Sequence, residues 1–169
     1  GYFLSGLTSG VQLFSLFERR PDILEKVIYV TSLSKQLADA LAKQVSVLDG
    51  LADTGPDAIP SNLTGFQKSL QARLINTKDF ETSLTNTRAW KSEEHFKIIF
   101  AQLTQIITPQ RAEKAYSDLA QTCLNLCLDQ ALCETKRRFG EIPGSSVAIL
   151  AMGKMGSQEM SCTSDLDII

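Results

Sequence analysis

The chain has 169 residues, 43% of them hydrophobic, enough to bury one or two cores of ordinary size. Its 17 basic and 19 acidic side chains leave a formal charge of −2, with no block of one sign that would suit a nucleic-acid surface or form an acidic tail. No apolar run approaches the roughly 20 residues that cross a bilayer, and no secretory leader opens the chain, so a cytoplasmic protein with no membrane or nucleic-acid partner is expected.

The chain opens without Met and closes at Ile168-Ile169 inside an apolar run, which reads as a piece of something longer. Thr8 or Ser9 can cap a first helix carrying Val11, Phe14 and Phe17, with Arg19 and Arg20 near its end. Pro21 suits the first position of the next helix, where Ile23, Leu24, Val27 and Ile28 recur at helical spacing. Thr31 or Ser32 is expected to start a third, with Leu33, Leu37, Ala40 and Leu41 on one side, continuing through Val45 and Leu48 towards Gly50. Gly55, Pro56 and Pro60 make 53–62 the clearest loop. Helix resumes over 63–74. A longer one is predicted over 79–106, with Phe80, Leu84, Trp90, Phe96 and Ile99 as apolar contacts and Trp90 and Phe96 as core anchors.

Thr108-Pro109 restarts the chain as a helix running to Phe139, with Ala112, Tyr116, Leu119, Cys123, Leu126 and Cys127 inward and Gly140 as the stop. The cysteines at 123, 127, 133 and 162 include no CxxC pair, and with a single histidine they supply no zinc site. Cys123 and Cys127, one turn apart, read as reduced core residues. His95 reads as a surface or half-buried histidine with no nucleophile beside it, and Lys136-Arg137-Arg138 as a cationic helix end complementing the dipole.

After residue 140 the pattern changes. Pro143-Gly144 is a turn, residues 146–152 (SVAILAM) have the length and composition of a buried strand, and Leu166 to Ile169 reads as the start of another. The fold expected is therefore mainly α, a helical region followed by the first strands of an α/β domain. Between those strands lies the segment that carries chemistry. Asp165 and Asp167, two apart on a strand, would project to one face. Two carboxylates that close repel unless a cation neutralises them, and an all-oxygen pair suits Mg²⁺ shared with substrate phosphates. Gly153 and Gly156, at the exit of the first strand, let backbone approach a phosphate closely. Ser164 can hydrogen-bond a phosphate oxygen, and Lys154 can help neutralise a polyphosphate. A P-loop is excluded by Ala148 and Met155, and a dinucleotide fingerprint by the lack of a third glycine. An isolated D-x-D is commonplace at strand ends; the ordered combination of strand, Gly-x-x-Gly turn and Ser-Asp-x-Asp is more specific.

The run from Met152 to Ile168 (MGKMGSQEMSCTSDLDI) closely resembles the signature of the glutamine synthetase adenylyltransferase family, within the DNA polymerase β-like nucleotidyltransferases. Arg88-Ala89-Trp90, the 95–98 stretch HFKI, the 115–120 stretch AYSDLA and Pro143-Gly144 stand in the family's order upstream, and 10–17 (GVQLFSLF), Arg20-Pro21 and Leu48-Asp49 resemble its helical lead-in. The resemblance implies a lead-in over 1–52, a helical region over 63–140 packing on the catalytic domain, and the truncated start of a nucleotidyltransferase domain over 146–169. It implies an enzyme moving AMP from ATP to a tyrosine of glutamine synthetase, or removing it with phosphate in a second, related half; the 10–17 segment looks more like the lead-in to the adenylylating half. Asp165 and Asp167 would be the catalytic, Mg²⁺-binding aspartates, and Gly153, Lys154 and Ser164 would line the nucleotide phosphates. Glutamine synthetase and a PII nitrogen-signalling protein are the implied partners. Met155 and Ser157 replace the more usual Leu and Gly, and the family's third carboxylate, on a later strand, is not in this chain. This chain alone is therefore expected to be inactive, and a non-catalytic helical interaction module is the competing reading.

Overall fold

Pro21 stands at the start of α1 (Pro21–Leu33), where the first amides of a helix have no internal partner and a missing N–H is no loss. The computed structural model of the chain describes residues 15, 17–33, 38, 55–77, 79–141 and 143–169. The expected first helix is seen there only at 15 and 17–19; Val11 and Phe14, and nearly all of the predicted helix beyond Leu33, lie outside the described residues. Along α1, Ile23, Val27 and Val30 are buried, whereas Ile28 faces solvent. Nor does Thr31 begin a new helix. Its Oγ1 donates to the Val27 carbonyl at 2.7 Å, and Ser32 Oγ donates to the Tyr29 carbonyl at 2.7 Å. Hydroxyls that bond back into the preceding turn continue a helix rather than cap one, so α1 runs on to Leu33.

The predicted loop contains a short 3₁₀ turn, Gly55–Ala58, followed by the buried Ile59. Asn62 then caps α2 (Leu63–Leu74): its backbone is extended and its side-chain oxygen accepts the Gly65 N–H at 3.0 Å. Asp79 does the same for α3 (Phe80–Leu103), accepting the Thr82 N–H at 2.8 Å, which holds its carboxyl below the ordinary carboxylate value. This helix stops three residues short of the expected end. Gln105 turns to a φ of 58°, and the N–H groups of Ile106 and Ile107 both reach back to the Ala101 carbonyl, at 2.8 and 3.2 Å. The fourth helix, α4 (Pro109–Phe139), matches its predicted limits, and Gly140 closes it with a φ of 83° and an N–H donated to the Lys136 carbonyl.

Two compact units divide the chain: residues 1–59 with 93–109, and residues 60–92 with 110–169. In the first, the 93–103 part of α3 is buried almost all round at Phe96, Ile98, Phe100 and Ala101, and the Phe96 and Phe100 rings lie 6.2 Å apart. In the second, Phe66 meets Trp90 edge-on at 6.4 Å, and the indole N–H of Trp90 donates to Ser69 Oγ at 3.0 Å. Ala112, Ala115, Tyr116 and Leu119 add the N-terminal half of α4 to that core.

Two expectations are corrected. Cys123 is only half-buried and Cys127 is exposed, because the buried positions on α4 end at Thr122 and its C-terminal half stands largely in solvent. The two strands are not formed as such. Among the described residues the only ladder element is an antiparallel bridge between Ala151 and Ile168, flanked by bonds from Leu150 N–H to the Ile169 carbonyl, from Ile169 N–H to the Leu150 carbonyl and from Met152 N–H to the Asp167 carbonyl. A two-segment ribbon of this width is marginal without a covered apolar face. Here Val147, Leu150, Leu166 and Ile169 are all exposed, and the pairing joins 150–152 with 167–169. No helix among the described residues is long and apolar enough to cross a membrane.

Candidate functional site

The candidate residues lie in the second unit, after α4, where the chain trades regular structure for tight turns. Met152 is extended and leads into a single helical turn, α5 (Gly153–Gly156), in which Gly153 has a φ of 52°. Ser157 and Gln158 finish the turn: Ser157 N–H donates to the Gly153 carbonyl, and its hydroxyl donates to Glu159 at 3.1 Å. Two methionines in this polar stretch, Met155 and Met160, are the residues it buries. Met155 shares a cleft of about 240 Å³ with Ser117, Gln121 and Leu124 of α4, so the turn is seated against that helix. Hydrophobicity in an otherwise polar segment is the sequence signal for these anchors, and reading the segment only for chemistry passes over it.

Near Cys162 the chain turns again. Ser164 N–H donates to the Ser161 carbonyl at 3.1 Å, and Ser164 Oγ accepts the Ser161 N–H at 2.9 Å while lying 2.9 Å from Ser161 Oγ. Ser164 thus closes the turn that precedes Asp165. Tyr116 on α4 is buried, and its hydroxyl is held well above the usual phenol value, first by burial and then by the nearby Cys162 thiol. Cys123 is raised in the same way, to about 11, chiefly by burial and then by Cys127, with Lys91 opposing. Neither group is poised as a nucleophile.

From Asp165 the backbone runs to its pairing with the 150–152 segment. Asp167 is brought to Gly153: its carbonyl accepts the Met152 N–H at 2.8 Å, and its carboxylate lies over the Gly153 Cα, where a Cβ would stand 2.6 Å from Oδ2. Asp165 and Asp167 are both exposed, and among the described residues neither carboxylate has a hydrogen-bond or ion-pair partner. Lys154 is exposed on α5 and also unpaired there. Two other acids of this unit are committed to partners: Asp118 is buried against Lys114 at 3.1 Å, and Glu134 is held near a pKa of about 2 by Arg137 and Arg138. Among the described residues no group of three or more His, Cys, Asp or Glu side chains converges. Two exposed carboxylates with free lone pairs fit a hard cation that takes its other oxygens from phosphates and water; they do not make a protein-only cage.

A sequence model of the glutamate-ammonia ligase adenylyltransferase family matches residues 24–169. The chain is 37% identical over 167 residues to the bifunctional glutamine synthetase adenylyltransferase/adenylyl-removing enzyme of Brucella suis biovar 1 (strain 1330). It is 34% identical over 168 residues to the enzyme of that name from Rhizobium meliloti (strain 1021), and 32% over 167 residues to that of Agrobacterium fabrum (strain C58). Each match takes in 99% of this chain and 17% of the relative's length.

Proposed function

The chain belongs to the glutamate-ammonia ligase adenylyltransferase family, and on that premise we propose that residues 152–169 contribute the opening part of a nucleotidyltransferase site acting on glutamine synthetase. The observation that carries this reading is two exposed, unpartnered carboxylates, Asp165 and Asp167, the second of them laid over the Gly153 turn. In the forward direction a tyrosine oxygen of glutamine synthetase attacks the α-phosphorus of ATP. A tyrosine O–P bond forms, the bond to the β-phosphate oxygen breaks, pyrophosphate leaves and the phenolic proton passes to solvent. Mg²⁺, held by Asp165 and Asp167 together with phosphate oxygens, would supply the countercharge this reaction needs. Lys154 brings a further cation to the polyphosphate, Gly153 permits its close approach, and Ser164 lines it while fixing the loop that presents Asp165.

The adenylylating half is the reading favoured by the likeness of residues 10–17 to that half's lead-in. The adenylyl-removing half is the alternative, and it keeps the same residues: a phosphate oxygen attacks the AMP–tyrosine phosphorus, the tyrosine O–P bond breaks, ADP is formed and the tyrosine oxygen takes up a proton. A nitrogen-signalling PII protein is the regulatory partner that accompanies either reading. The bland competitor is a helical interaction module, favoured by the lack, among the described residues, of any group of three or more converging His, Cys, Asp or Glu side chains.

The test uses the full parent protein with Asp165→Asn and Asp167→Asn together, and follows labelled AMP from ATP into glutamine synthetase. Loss of labelling is expected, and a double variant that keeps both wild-type labelling and wild-type ADP release from adenylylated glutamine synthetase overturns the site. Supplying adenylylated glutamine synthetase and phosphate to the same variant decides the half: ADP release kept while labelling is lost assigns the chain to adenylylation, and labelling kept while ADP release is lost assigns it to adenylyl removal.

A further inference from the structure

The glycines of this chain do different jobs. Gly140 and Gly144 have φ values of 83° and 74° and nothing within 4 Å of a built Cβ; they are glycines for conformation alone. Gly156 has no left-handed backbone, but a Cβ there would meet the Ala151 carbonyl oxygen at 2.7 Å; it is a glycine for packing of the turn on the 150–152 segment. Only Gly153, among the described residues, combines a left-handed φ of 52° with a close side-chain neighbour. That neighbour is the Asp167 carboxylate, with Oδ2 at 2.6 Å, Cγ at 3.6 Å and Cβ at 3.7 Å from the built Cβ.

Asp167 is held from two sides. Its carbonyl is fixed by the Met152 N–H, one residue before the glycine, so its Cα cannot retreat without losing the first rungs of the antiparallel pairing. Its side chain has one staggered torsion to choose, χ1, and the chosen state lays the carboxylate in the space left by the missing Cβ. Any side chain at 153 takes that space, and the cheapest relief is rotation of Asp167, because a carboxylate oxygen at the end of a side chain moves more easily than paired backbone. We infer that Gly153 is a positioning residue for Asp167: the absence of a side chain at 153 leaves room for the observed Asp167 rotamer and so sets where Asp167 presents its oxygens. This is separate from close approach to a phosphate. Its steric part stands by itself, and its functional part rests on the proposed cation role of the pair.

The experiment compares the full parent protein as wild type, Gly153→Ala, Asp167→Ala, the double variant and Gly144→Ala, with Mn²⁺ as the probe cation, titrated by its electron spin resonance signal. Gly153→Ala is expected to weaken Mn²⁺ binding roughly tenfold or more, the range seen when a residue that orients a ligand is changed. The same substitution should add nothing once Asp167 is alanine, since a Cβ–Cβ distance of 3.7 Å is ordinary contact. Gly144→Ala carries similar backbone strain without a neighbour and should leave binding unchanged. Wild-type Mn²⁺ affinity in Gly153→Ala overturns the inference, as does full additivity with Asp167→Ala. If the wild type itself binds no Mn²⁺ above the Asp165→Asn/Asp167→Asn level, the cation reading fails. The steric claim is then decided by a crystal structure of Gly153→Ala, in which Asp167 must occupy a different χ1 well. Should Gly153→Ala fail to fold, recovery in the double variant supports the clash, and no recovery overturns it.

Discussion

Within the 60–92 and 110–169 unit, the helices build a packed core with paired polar groups: Phe66 against Trp90, Trp90 on Ser69 and Asp118 on Lys114. From 145 to 169 the same unit buries only Met155 and Met160 and leaves Asp165, Asp167 and Lys154 in solvent with no side-chain partner among the described residues. The packed core and the proposed site thus fall in different stretches of chain. Charges that lie paired and desolvated in a core are committed to the fold; charges that a substrate must meet have to stay solvated and unspent until it arrives.

The sharpest way to break this comparison is to change the two regions separately and see whether the readouts separate. Asp165→Asn with Asp167→Asn should lower AMP transfer in the full parent protein about a thousandfold, roughly 4 kcal/mol of barrier, while a melting curve moves by no more than about 0.5 kcal/mol. A large loss of stability in that variant would mean the aspartates are structural. Trp90→Ala should do the reverse, costing about 3 kcal/mol in denaturant unfolding because it removes a buried ring and strands Ser69 Oγ. Asn62→Ala removes the cap of α2 and should cost about 1 kcal/mol, measured the same way, with transfer per folded molecule unchanged.

The smallest effect belongs to the other unit. Glu94 is buried with Lys97 at 2.7 Å on one oxygen, the other oxygen has no hydrogen-bond partner, and burial raises its pKa above the ordinary carboxylate value. The folded state therefore binds its proton more tightly than the unfolded state does. Stability from this group is full below the ordinary carboxylate pKa and falls as pH rises through the raised folded value. Melting temperatures of wild type and Glu94→Gln, followed from acid to neutral pH, should diverge in that window with the glutamine variant the higher at neutral pH. Parallel curves would show that Lys97 already offsets the burial.

Much of the helical layout is legible residue by residue. Pro109 and Gly140 mark helix ends by local chemistry, a missing N–H or a left-handed φ, and each is found at work in the structure. Thr31 was the exception: a hydroxyl can cap a new helix or bond back into the old one, and the letter does not say which. The candidate aspartates, glycines and lysine were likewise legible as a pattern, because residue types and spacing over 17 positions carry the signal.

Burial along α4 could not be read, since whether Cys127 points to core or water depends on how far the neighbouring helices reach beside it. The strands failed for a related reason: β-rich composition at 146–152 provides propensity, but a ladder needs partners and a covered face. By itself the sequence determined several helix limits, such as Pro109 and Gly140 for α4, and singled out the candidate site residues as a pattern, because both signals lie within a few positions. Only the tertiary structure decided that Asp167 lies on Gly153, 14 positions earlier. That contact comes from the antiparallel pairing of 150–152 with 167–169, and no local preference of either residue encodes it.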